Sequence, residues 1–185
     1  MKLLGLLALL SLLLMINSNH IVDGDYYIIS VKYGTYVDAC GSDTICPADP
    51  DNLYVNNFFG DHYQHFTVTR LKNGYYTLAN HVNDNYITAK DSNNKSKTLS
   101  LQDPRKYDKD QQFKILYKGY NSYVIIPRRL DKKAVEAPKY ELEELFLGKK
   151  DDYNKAQRFY FKPKESYSPA PQAAKMASVA SRGTR

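Results

Sequence analysis

The chain says the same thing three times. The triplets Gln64-His65-Phe66, Gln111-Gln112-Phe113 and Gln157-Arg158-Phe159 share one pattern, and their phenylalanines are 47 and then 46 positions apart. Each copy opens on an aromatic strand signal: Gly24-Asp25-Tyr26-Tyr27-Ile28, Asn73-Gly74-Tyr75-Tyr76-Thr77 and Asn121-Ser122-Tyr123-Val124-Ile125. A period in this range marks copies of one supersecondary unit, none of which buries its apolar face alone. Three such units must therefore pack on one another.

Inside the first copy the apolar runs Tyr26 to Val31, Tyr36 to Ala39, Leu53 to Val55 and Phe66 to Val68 are short, rich in Tyr, Ile and Val, and bounded by Gly, Asp, Asn or Pro. That pattern reads as strands between turns. Four strands per copy give twelve, and the expected fold is all-β: a β-trefoil of three pseudo-equivalent four-stranded units, a six-stranded barrel capped by three hairpins. A propeller with only three blades falls below the usual number for closure, and a solenoid wants more repeats and caps. The repeat register places Tyr27, Tyr76 and Tyr123 in matching environments and Phe66, Phe113 and Phe159 in an inner layer. Tyr140 to Leu147 consists of good helix formers, yet the register sets Leu145 to Leu147 where Leu53 to Val55 and Leu99 to Leu101 stand. A strand with at most one helical turn is expected there.

The ends of the chain carry a different message. Lys2 and the apolar run from Leu3 to Ile16 resemble a signal peptide, expected over 1–18 with cleavage near Ser18, and the run is too short for a comfortable membrane span. The mature protein is expected to be secreted, with no stable membrane insertion. The domain is expected over 23–163. From residue 164 to 185 the composition turns to Ser, Pro, Ala and basic residues, which predicts a disordered basic tail. The whole chain has 26 basic and 20 acidic residues. Lys2, Lys164, Lys175, Arg182, Arg185 and the acid Glu165 lie outside the core, leaving 21 basic against 19 acidic there. So small an excess argues against a nucleic-acid partner, which requires a concentrated basic face.

The two cysteines, Cys40 and Cys46, suit a short disulfide loop in an oxidising compartment. Asn94-Lys95-Ser96 is an N-glycosylation sequon in a polar turn. Of the four histidines only His62 and His65 are close in sequence, and no nucleophile motif or phosphate loop occurs. An enzyme is therefore not expected, and no cofactor is implied.

With its three Gln-x-Phe motifs the chain resembles a ricin B-type lectin domain, a β-trefoil family whose repeats close on Gln, any residue and an aromatic, usually Trp. The resemblance covers about 23–163, and this chain has no Trp. It implies carbohydrate binding, with glycans or glycoproteins as partners. Sites of that family use an acid on the second strand, a polar residue at the end of the third, an aromatic two residues later that stacks on the sugar, and an Asn-Gln pair leading into the closing motif. In the first repeat these positions are Asp38, Asn52, Tyr54 and Gln64, while Tyr63 stands where the family has Asn. The second repeat has Thr88 and Leu101 at the acid and aromatic positions, and the third has Glu136 and Leu147. At most one site of the family type is expected. Two other readings stay open: a β-trefoil inhibitor that presents a loop, 41–52 or 128–140, to a protease, and a structural or adhesive coat protein with many exposed tyrosines.

Overall fold

A computed structural model describes residues 20–40, 51–89 and 99–164. The expected leader, Cys46, the Asn94 sequon and the expected tail beyond Lys164 lie outside the described residues, as does most of the loop 41–52. Twelve strands follow one another: β1 (Gly24–Ser30), β2 (Tyr36–Asp38), β3 (Tyr54–Asn56), β4 (Phe66–Arg70), β5 (Tyr76–Asn80), β6 (Tyr86–Ala89), β7 (Leu99–Gln102), β8 (Phe113–Tyr117), β9 (Ser122–Pro127), β10 (Lys133–Glu136), β11 (Phe146–Lys149) and β12 (Phe159–Pro163). β1, β12, β9, β8, β5 and β4 pair in a closed antiparallel ring, with β4 returning to β1. Closure leaves this barrel without an exposed edge. The remaining strands form three hairpins, β2–β3, β6–β7 and β10–β11, that cap one end. This is a β-trefoil.

The threefold arrangement is visible in the core. Ile28, Leu78 and Ile125 from the barrel meet Val37, Ile87 and Val135 and then Leu53, Leu99 and Leu145 from the hairpins, around a residual void of only about 10 Å³. Phe66, Phe113 and Phe159 are completely buried in the same core. The hairpins are also tied to each other through backbone: Leu53 N–H donates to Leu99 O at 3.2 Å, and Leu145 N–H to Leu53 O at 2.8 Å. Leu145 to Leu147 thus occupies the place the repeat assigned to it, and the helix-forming residues before it form no helix. Burial of Leu145 and Leu147 outweighs the weak propensity of the segment.

One register expectation is corrected. The strand pairs place Tyr26 against Phe66, Tyr76 against Phe113 and Tyr123 against Phe159. The residue equivalent to Tyr76 and Tyr123 is therefore Tyr26, not Tyr27. Adjacent tyrosines make either alignment plausible in sequence, but a one-residue slip sends a side chain to the other face of the sheet. Tyr26 packs inward, and its hydroxyl donates to Val22 O at 2.8 Å. Tyr27 points to the outer face, among Tyr36, Phe58 and His65. The packed unit also includes Ile21, which is buried and accepts from the Tyr76 hydroxyl, and Lys164, whose N–H donates to Asp25 O.

Candidate functional site

Before each Gln-x-Phe motif the chain makes one 3-10 turn, capped by Asp61, Asp108 or Asn154, whose side chain accepts an N–H two residues on. The turn delivers the glutamine into the interior. Gln64 donates to Asp38 Oδ2 at 3.2 Å and to Asn57 O at 2.6 Å, and its Oε1 accepts from Phe59 N–H at 3.0 Å. Gln111 donates to Thr88 Oγ1 and Asp103 O and accepts from Arg105 N–H. Gln157 does the same with Glu136 Oε2, Lys149 O and Asp151 N–H. All three amides are spent on one recurring tie between the second strand of a repeat and the connection that follows its third. Buried polar groups need such complete pairing.

This tie defines what the first-repeat residues can do. Asp38 ends β2 with 1% of its surface exposed, and its second oxygen accepts from Cys40 N–H at 2.8 Å. Burial raises its carboxyl above the ordinary value, while the donors from Cys40, Gln64 and Asn56 pull the other way. Tyr54 lies directly across from Asp38 in the β2–β3 pair but is 1% exposed. A stacking platform needs an open ring face, so the stacking role expected of Tyr54 is not available to it. Asn52 directs its amide to Glu144 Oε1 of the third repeat at 3.0 Å. The structure therefore joins Asp38 and Gln64, sets Tyr54 beside them with its ring enclosed, and turns the Asn52 amide to another repeat. Cys40 is buried at the end of this hairpin strand.

Two groupings were not legible from sequence spacing. His81, in the turn after β5, joins His62 and His65, with ring centroids 5.7 to 6.2 Å apart. The His62 and His81 rings are stacked, and among the described residues no three His, Cys, Asp or Glu side chains are arranged to hold a metal. Beside them Tyr27 packs edge-on against His65, and Tyr36 and Phe58 pack against Tyr27 and each other, occupying the outer face of the first repeat. At the equivalent place in the second repeat stand Thr77, Tyr86 and Gln112, and a cleft of about 640 Å³ opens. That volume lies within the range of small-molecule sites. Tyr86 and the exposed Tyr107 flank the cleft, and Gln112 is held at its base, accepting from Asn73 Nδ2 at 3.1 Å and from Arg128 Nη1 at 2.6 Å. The sequence signal was present in the match of Tyr86 to Tyr36, together with the smaller Thr77 where the first repeat has Tyr27. It becomes readable only once the Tyr26 register is known.

The fold places the protein among the β-trefoils. More particularly, it resembles ricin B-type lectins: the model of the ricin-type beta-trefoil lectin domain-like family matches residues 62–140. The Rhizoctonia solani agglutinin superposes with a TM-score of 0.64 at 14% identity, over 80% of this chain and 100% of its own. The Macrolepiota procera ricin B-like lectin in complex with lactose gives 0.61 at 14% identity, over 79% of this chain and 100% of its own. A designed 3-fold symmetric protein, ThreeFoil, gives 0.65 at 17% identity, over 77% and 100%. No curated protein sequence matches the chain.

Proposed function

We propose that this chain is a secreted glycan-binding protein of lectin type that binds without catalysis. The observation that carries the reading is the open cleft of the second repeat, inside the segment that matches the lectin family model. Two tyrosines and a set of directional amides meet there. Sugars present apolar CH faces edged by hydroxyls, and a ring beside fixed hydrogen-bonding groups is the chemistry that holds them. The first repeat alone has an acid and an aromatic at the family's binding positions, but both are buried, so we assign the contact to the second repeat. Secretion is supported by Lys2 and the apolar run up to Ile16. The inhibitor reading receives less support, because β10 occupies much of the loop 128–140 and Arg128 is held by Gln112 and by the face of the Tyr75 ring.

A glycan array probed with the full chain and with Tyr86→Ala tests this reading. Wild type should bind a defined set of glycans, and the variant should lose most of that signal while its circular dichroism spectrum stays the same. Absence of binding across a broad array, or an undiminished signal from Tyr86→Ala, would overturn the assignment.

A further inference from the structure

The rim of the second-repeat cleft has an unequal charge. Lys72, Arg105 and Lys106 line it, against the single carboxylate of Asp108, and that carboxylate pairs with Arg105 at 3.1 Å. Lys72 has no carboxylate partner among the described residues, and Lys106 lies over the Tyr107 ring, 5.1 Å from its centroid. The acids Asp51 and Asp103 line a separate cleft on the other side of Arg105. At neutral pH the opening thus presents two cations without a counter-charge beside two aromatic rings. The core as a whole is nearly neutral, so this is a local feature and not a general basic surface.

We infer that the second-repeat cleft takes a carboxylated sugar, such as a sialyl or uronic acid residue, its ring against Tyr86 and its carboxylate between Lys72 and Lys106, the two rim cations that no carboxylate among the described residues neutralises. The inference rests on the glycan-binding reading above and specifies its ligand class. A charge-assisted hydrogen bond from Lys or Arg to a carboxylate is shorter and stronger than one between neutral groups. Partial exclusion of water by the cleft walls increases that advantage. Asn73 and Gln112 are already bonded to each other through one oxygen, which fixes the amide geometry at the base before any ligand arrives. The comparison among repeats indicates why this position is open in the second repeat. The first repeat fills the same position with the rings of Tyr27, Tyr36 and Phe58, and the third lines it with Val124, Ala134 and Leu116.

Isothermal titration of the full chain with 3′-sialyllactose, with a glucuronate-terminated disaccharide and with lactose distinguishes the outcomes. At least one acidic probe should bind more tightly than lactose, and its affinity should fall as salt rises, because exposed charges are screened. Lys72→Glu combined with Lys106→Glu, both exposed side chains, should weaken the acidic probe about tenfold or more. Thr77→Tyr should block the cleft in the way the first repeat is blocked. If neutral glycans bind while both acidic probes bind no better than lactose, or if the charge-reversed variant binds them as wild type does, the cleft assignment falls and the lectin reading stands. If no glycan of either kind binds, both fall.

Discussion

Replacing Gln64 by Leu tests whether the recurring glutamine tie holds the trefoil together. Gln64 is fully buried, and its amide makes four hydrogen bonds, to Asp38, Asn57 O, Phe59 N–H and Gly60 N–H. At a net value of about 1 kcal/mol for each of the bonds to Asp38, Asn57 and Phe59, and with a further penalty of about 1 to 3 kcal/mol for a buried carboxylate that loses a donor, the cost at pH 7 is about 4 to 6 kcal/mol. In urea, with a slope of about 2 kcal/mol per molar, the midpoint should move down by about 2 to 3 M. The cost should also depend on pH in a definite direction. Burial holds the Asp38 carboxyl above its ordinary value, so its ionisation lowers stability as pH rises from the unfolded-chain value through the raised native one. Removing the Gln64 donor raises the native value further and widens that window upward. The substitution should therefore cost less at pH 4, where more of Asp38 is protonated in the native state, than at pH 7. Gln111→Leu is the control, because its partner Thr88 does not titrate: its cost should be smaller and nearly independent of pH. Equal costs at the two positions, or the same pH dependence in both, would refute the argument.

Two further expectations follow from close contacts. A Cβ at Gly148 would stand well inside contact distance of Glu136 Oε2 and 2.9 Å from Gln157 Nε2, so Gly148→Ala should break the third tie and cost about 1 to 3 kcal/mol by denaturant unfolding. His65 is buried with neither ring nitrogen hydrogen-bonded among the described residues, and burial, with Lys164, His62 and His81 nearby, pushes its titration below the ordinary histidine value despite the opposing Asp61. The unfolded chain thus takes up this proton first, and stability falls as pH drops through about 6.5. His65→Phe should match or exceed wild type in melting temperature at pH 7.5, with its advantage growing toward pH 5; a constant difference would show that His65 is not the group responsible.

The fold was legible because it rests on repetition and on period-two patterning. Three Gln-x-Phe motifs at nearly constant spacing set the number of units, and the runs ending at Leu53, Leu99 and Leu145 marked the hairpin strands even where Tyr140 to Leu147 favours helix on propensity alone. Those features are one-dimensional: they need only the order of residues. The choice between Tyr26 and Tyr27 was not of that kind, since two adjacent tyrosines look alike in sequence and only their pairing with Phe66 tells which one faces the core. The candidate site depended on tertiary structure still more. Asp38, Asn52, Tyr54 and Gln64 occupy the positions that a family comparison assigns to a sugar, but whether a carboxylate or a ring is open to solvent depends on the strands and turns packed over it. Here the β2–β3 hairpin and the residues packed on it leave Asp38 and Tyr54 each only 1% exposed. The fold leaves the space beside Tyr86 open, because Thr77 and Gln112 are too small to fill what Tyr27, Phe58 and His65 fill one repeat earlier. Sequence order alone determined that three like units would close on a common axis; the volumes of side chains brought together from different strands decided that the second unit kept an opening beside Tyr86.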